Sequence, residues 1–114
     1  MHELSVAAYL VDRVQAHADR IGVEQILAVN LIVGERACIE ADALRFSFEL
    51  LAPGTPGEGA TINVRRTPMR CHCDPCAAEY QPAEGDLCCP RCGALGRVTD
   101  DGSELMIESL EVHR

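Results

Sequence analysis

The sequence predicts a small α/β (α+β) protein: a three-stranded sheet with two helices, into which a cysteine-rich module is inserted. Three observations carry this. Apolar residues recur on a 3.6-residue period over 3–21 and over 41–52, the pattern of helices with one buried face. Segments 26–33, 60–66 and 104–112 carry strand patterns. Six of the seven cysteines lie between Cys71 and Cys92, flanked by the second and third strands. At 114 residues the chain has room for one ordinary domain, or for a small core plus a smaller module.

Each element has its own warrant. Over 3–21, Leu4, Ala7, Ala8, Val11, Val14, Ala18 and Ile21 form one stripe, and Gly22 is a fitting C-terminal stop. This helix begins so early that residues 1–3 are expected to project from its first turn. In 26–33, Leu27, Val29, Leu31 and Val33 take one face and Ile26, Ala28 and Ile32 the other. Two apolar faces predict a central strand covered by helix, ended by Gly34. In 41–52, Leu44, Phe48 and Leu51 line one face, extended by Ala41 and Ala52, with Asp42 as an early acid or cap. Pro53-Gly54 stops that helix, and 53–59 is a loop. In 60–66, Ile62 and Val64 point inward. After the turn signal Asp100-Asp101-Gly102, 104–112 is the last strand. The expected organisation is therefore one α/β domain made of 1–66 and 100–114, and a second domain at 67–99. No repeat of the solenoid type is present.

Composition narrows the function classes. With 47% hydrophobic and 25% charged residues, disorder, coiled coil and collagen are excluded. Only 4% of residues are aromatic, so the core is aliphatic. Ten basic residues, all Arg, face 18 acidic ones, for a net charge of -8. That balance argues against a nucleic-acid partner, which calls for a basic face. The apolar stretch Leu4–Val11 is stopped by Asp12 and is neither a secretory signal nor a membrane span. A cytosolic protein is expected, and in the cytosol clustered cysteines mean metal or redox chemistry more often than disulfides.

Cys73-Asp-Pro-Cys76 and Cys89-Pro-Arg-Cys92-Gly93 are two C-x2-C pairs, separated by residues 77–88. Each such turn brings two thiolates onto one ion, and two of them complete a tetrahedral four-sulfur site suited to structural Zn(II). The rival is a one-iron site of the rubredoxin type, an electron carrier; such cores carry several aromatics, and this segment offers only Tyr80. A zinc-ribbon interaction or nucleic-acid module is the other alternative. A dithiol redox pair would leave the second knuckle unexplained. Cys71, His72 and Cys88 lie outside the two clean spacers and are expected beside the site or on the surface. Cys38 is expected to be a small buried apolar residue. No Ser/His/Asp or Cys/His arrangement, P-loop or open zinc site points to an enzyme.

The other candidate is the amino terminus. The Met1 α-amine, the His2 amide nitrogen and the His2 imidazole lie on one short chelate that closes five- and six-membered rings. Three nitrogens in a plane suit a square-planar ion, Ni(II) or Cu(II). Taken alone, His2 reads as an ordinary exposed residue at a frayed end, because a lone His seldom binds metal functionally.

Taken together, Met1-His2-Glu3-Leu4, a small α/β core, and Cys73-x2-Cys76 with Cys89-Pro-x-Cys92 before a final strand resemble the HypA/HybF hydrogenase nickel-incorporation proteins. Leu31-Ile-Val-Gly34 and Phe46-x-Phe48-Glu49-Leu50 share the likeness, which spans essentially the full length. The resemblance implies a nickel metallochaperone, not an enzyme. Nickel would bind at Met1, His2 and Glu3, with Glu3 supplying a backbone nitrogen or a partner contact. Structural zinc would sit on Cys73, Cys76, Cys89 and Cys92. The implied partners are a HypB-type GTPase, the large subunit of [NiFe]-hydrogenase and, in some members, urease maturation proteins. No nucleic acid or membrane is implied, and the expected state is a monomer or weak homodimer. The extra cysteines and His113 depart from the pattern and leave room for another soft-metal ligand.

Overall fold

A computed structural model describes residues 2–83 and 86–113. The elements run α1 (Glu3–Ile21), β1 (Ile26–Gly34), α2 (Ala41–Leu51), β2 (Thr61–Thr67), β3 (Arg70–Cys73), β4 (Ala78–Tyr80), β5 (Arg97–Asp100) and β6 (Leu105–Val112). Two three-stranded sheets form, ordered β2-β1-β6 and β4-β3-β5. The fold is α+β, with the two helices and the central β1 that the sequence predicts. Contacts divide the chain into two compact units: Met1–Ile32, Cys38–Arg65 and Met106–Arg114 in the first, Val33–Ala37 and Arg66–Leu105 in the second. Among the described residues no helix is long and apolar enough to cross a membrane.

In the first unit α1 packs on α2. The buried stripe of α1 is Val6, Ala7, Leu10, Val14 and Ala18. It is rotated from the expected one: Leu4, Ala8 and Ile21 are exposed. Leu44 and Phe48 of α2 are buried, whereas Leu51 is partly exposed and Ala52 is the cap that ends the helix. Gly57 lies under this seam. A Cβ there would meet the Phe48 ring at 3.0 Å and Val14 at 3.5 Å, so the loop after α2 packs tightly against the core at this glycine. The same loop delivers the Pro56 carbonyl to the Ile26 N–H (2.8 Å) and so anchors the start of β1.

β1 is apolar on both sides as expected, except that Leu27 is exposed near its start. Asn30 sits mid-strand and spans the sheet. Its carbonyl oxygen accepts from Asn63 Nδ2 of β2 at 2.9 Å, and its own Nδ2 donates to Ser109 Oγ (3.0 Å) and Glu111 Oε2 (3.2 Å) of β6. One amide thereby fixes register on both flanks of the central strand.

Both helix starts are capped by side chains. His2 is the N-cap of α1, and Glu40 is the N-cap of α2, accepting from Asp42 N–H (3.1 Å) and Ala43 N–H (2.6 Å). Asp42, expected as an early acid or cap, is the acid of the first turn of α2 and pairs with Arg45 at 3.0 Å. At the other end of α1, Gly22 adopts φ 75° and its N–H reaches the Ala18 carbonyl at 2.9 Å.

The second unit contains strands the sequence does not announce. β3 pairs antiparallel with β4 (Cys71 opposite Tyr80, Cys73 opposite Ala78) and with β5 (Cys71 opposite Val98). Each strand has at most four residues, too short for a periodicity to emerge. Residues 33–37 join this unit through backbone bonds: Gly34 N–H to the Glu104 carbonyl, Glu35 N–H to Thr67, Arg36 N–H to Gly102. A Cβ on Gly34 would lie 2.0 Å from the Gly102 oxygen, so glycine is obligatory at this crossing. The Leu87 carbonyl accepts from both the Tyr80 hydroxyl and the Gly96 N–H, and Gly96 leaves the room that the phenol occupies.

Two substitutions check this account. Phe48→Ala should lower stability by about 3–5 kcal/mol, because a large ring leaves a cavity between α1, α2 and the Gly57 loop; a urea unfolding curve measures it. Gly34→Ala should broaden or abolish cooperative unfolding, since the clash is with backbone that no rotamer change relieves.

Candidate metal centre

Cys73 is the last residue of β3, and Cys76 lies in the turn that returns the chain to β4. The turn closes through Ala77 N–H to the Asp74 carbonyl (3.2 Å), with Ala77 at φ 52°. The second knuckle is built by the Cys88–Leu95 bridge. Cys89 N–H donates to the Ala94 carbonyl and Gly93 N–H to the Cys89 carbonyl, both at 2.8 Å, with Gly93 at φ 77°. The two turns bring the Sγ atoms of Cys73, Cys76, Cys89 and Cys92 within 4.8 Å of one another. Cys73 and Cys92 are 3.5 Å apart. A tetrahedral ion with bonds of about 2.3 Å holds its sulfurs roughly 3.8 Å apart, so the donor set fits one four-coordinate soft metal ion.

The electrostatics agree. The Cys76 thiol is pushed up to about 12 by hydrogen bonding with Cys92 and Cys73 and by burial. Cys89 is pulled down to about 7 by the backbone N–H groups of Cys92 and Arg91, the latter 3.4 Å from its sulfur. For Cys73, the Cys76 N–H lowers the pKa, but burial and Cys92 outweigh it and leave the thiol above its ordinary value. Four thiolates this close repel one another, and a bound cation removes that penalty. Cys73 and Cys89 are buried, Cys76 is half-buried and Cys92 is exposed. No position is left for a substrate once four sulfurs are bound.

Among the described residues this quartet is the one convergent group of three or more potential ligands. Cys71 shares the β3 face of Cys73 but is fully buried opposite Tyr80, whose hydroxyl is raised to about 12, first by burial. Cys88 is exposed; its N–H donates to Asp86 Oδ1 (2.9 Å), and that carboxylate raises its thiol pKa. His72 is half-buried with Nε2 3.5 Å from Asp74. Cys38, expected in the core, is exposed at φ 57°, because the chain turns sharply between β1 and α2. No disulfide forms among the seven cysteines. His113 is exposed and borders the hollow formed by 21–25.

Of the amino-terminal candidates, Met1 lies outside the described residues. His2 does not fray: its Nδ1 accepts the Leu4 N–H at 3.2 Å and its carbonyl accepts the Val6 N–H at 3.1 Å. Glu3 does not project but is the first residue of α1, and its Oε2 lies 3.5 Å from the Glu40 N–H. Sequence reasoning missed Glu40. Nothing in its neighbourhood marks it, because its approach to Glu3 comes from the packing of α1 on α2.

The fold and this cluster define a small metal-binding protein. The family model described as "Hydrogenase/urease nickel incorporation, metallochaperone, hypA" matches residues 1–112. Hydrogenase maturation factor HybF of Escherichia coli K12 is 33% identical over 112 residues, covering 98% of this chain and 99% of that one. Hydrogenase maturation factor HypA of Streptomyces avermitilis is 40% identical over 112 residues, covering 96% and 86%. The chain belongs to the HypA/HybF family of nickel-incorporation metallochaperones. Among solved structures, the Ni metallochaperone HypA from Helicobacter pylori matches at a TM-score of 0.67 and 24% identity, over 97% of each chain, which is a likeness of fold.

Within 66–105 the buried apolar side chains are Cys71, Cys73 and Cys89. Stripping metal with a chelator should therefore unfold this segment while α1 and α2 keep their helical circular dichroism. Cys73→Ala or Cys92→Ala should lose the metal; Cys71→Ala and Cys88→Ala should retain it, as elemental analysis would report. Because metal displaces thiol protons, affinity should fall as pH falls. The Cys76 proton, held to about 12, makes that dependence persist above neutrality.

Proposed function

We propose that this protein is a nickel metallochaperone for [NiFe]-hydrogenase maturation. It binds Ni(II) at Met1, His2 and Glu3 and hands it to the hydrogenase large subunit. The observation that carries the reading is the family match over residues 1–112, which takes in both the Met1-His2-Glu3 start and all four clustered cysteines. In this reading 1–66 and 100–114 form the nickel-binding domain, and 67–99 the zinc-binding domain. Zn(II) on Cys73, Cys76, Cys89 and Cys92 is structural: a saturated four-sulfur shell holds shape and does no chemistry. Nickel is cargo, so its ligands must be few, exposed and reversible. An amine, an amide nitrogen and an imidazole on two terminal residues meet that need. A HypB-type GTPase is the expected partner in the cytoplasm, and no catalysis by this chain is required.

The test is a nickel titration of the chain with its native, untagged terminus, of His2→Ala, and of a chain extended by one or two residues before Met1. Both altered forms should lose nickel binding strongly while zinc content stays constant. The extension converts the basic amine to an amide and leaves every side chain in place. Equal nickel affinity in the native and extended forms would remove the amine as a ligand. His2→Ala should also cost about 1 kcal/mol of stability through the lost cap of α1, which the extended chain does not. A colourless purified protein is expected; the visible absorption of a one-iron four-sulfur site would overturn the zinc assignment.

A further inference from the structure

We infer that nickel loading and the capping of α1 are alternative uses of one lone pair, so that the folded protein holds nickel more weakly than its own unfolded chain does. This rests on the nickel reading above and concerns how that site is regulated.

A neutral imidazole has one nitrogen that accepts and one that donates. In this structure the accepting nitrogen is Nδ1, and it takes the Leu4 N–H at 3.2 Å while His2 sits at φ -84°, ψ 129° as the N-cap of α1. The chelate that starts at the Met1 amine and passes through the His2 amide nitrogen closes its six-membered ring only at Nδ1. Nε2 is on the far side of the ring and cannot close it. Nδ1 has a single in-plane lone pair, so a nickel ion bound there displaces the Leu4 N–H. Leu4 is the second residue of α1, and its amide has no partner within the helix.

The ligands of this site come from consecutive residues, 1 to 3, so it forms equally well in an unfolded chain, where there is no cap to break. The folded chain alone must give up the cap. A side-chain N-cap shifts helix equilibria by a factor of roughly 2 to 30, and native nickel affinity should be lower than unfolded affinity by that factor. Ligands ordinarily stabilise the folded state; here the sign is reversed. The cap acts as an internal competitor: when nickel is transferred away, Nδ1 returns to Leu4 and α1 closes its first turn, favouring release.

The experiment uses the full, zinc-loaded chain with its native terminus. Urea unfolding is followed with and without saturating Ni(II), and the extended chain serves as the control for nickel bound elsewhere. Nickel should lower the urea midpoint of the native chain and leave that of the extended chain unchanged. In a second measurement, Leu4→Pro removes the N–H and frees Nδ1, while Leu4→Ala keeps the N–H. Leu4→Pro should bind nickel roughly 2- to 30-fold more tightly than Leu4→Ala. A midpoint raised by nickel, or equal affinities in the two Leu4 variants, would overturn the inference while the nickel site stands. Failure of the native chain to bind nickel at all would overturn both.

Discussion

Four sulfurs within 4.8 Å of one another are the constraint on which the second unit depends. Small modules ordinarily hold together by burying aliphatic side chains, and 66–105 has almost none to bury. Its strands have three or four residues, and its turns require left-handed backbone at Ala77 and Gly93. Such a chain does not outweigh its own conformational entropy through packing. A tetrahedral ion held by the four sulfurs would offset the thiolate repulsion and supply the missing core; structural zinc in modules of this size contributes on the order of 10–16 kcal/mol. The Tyr80 hydroxyl and the Gly96 N–H, meeting at one Leu87 carbonyl, trim what the metal sets in place.

The first unit is stabilised differently. Phe48, Leu10, Val14 and Leu44 are all but fully buried, and each contributes about 1.5–3 kcal/mol through burial. The unit's core is built from apolar side chains alone. The two units thus differ in what can stabilise them: side-chain burial in the first, and in the second a cluster of four sulfurs that could hold a metal ion. His2 belongs to the fold of the first unit, because its imidazole accepts one of the unpaired backbone N–H groups at the start of α1.

In the first unit, element type and order were legible in the sequence; the short strands β3, β4 and β5 of the second were not. The 3.6-residue spacing across 3–21, the two-faced apolar run at 26–33 and the breakers at Gly22 and Pro53-Gly54 are local signals, and local physics decides helix or strand. The cysteine quartet was legible for the same reason: a C-x2-C turn is a local geometry, and two of them admit few partners. What was misplaced depended on neighbours. The α1 stripe turned toward Val6 and Leu10 because packing on α2, not the count of apolar residues, selects the buried face. Cys38 moved to the surface because a positive-φ turn separates β1 from α2.

By itself, then, the sequence determined this protein's building blocks, its family pattern and the four sulfurs, since each is encoded within a few residues of itself. Tertiary structure decided the remainder. It joined 33–37 to the cysteine unit through the close crossing at Gly34, where only a missing Cβ admits the Gly102 carbonyl. It set Glu40 beside Glu3 by packing one helix on another. It also gave the His2 imidazole a backbone partner, because an α-helix leaves its first N–H groups unpaired and Leu4 presents one of them within 3.2 Å of Nδ1.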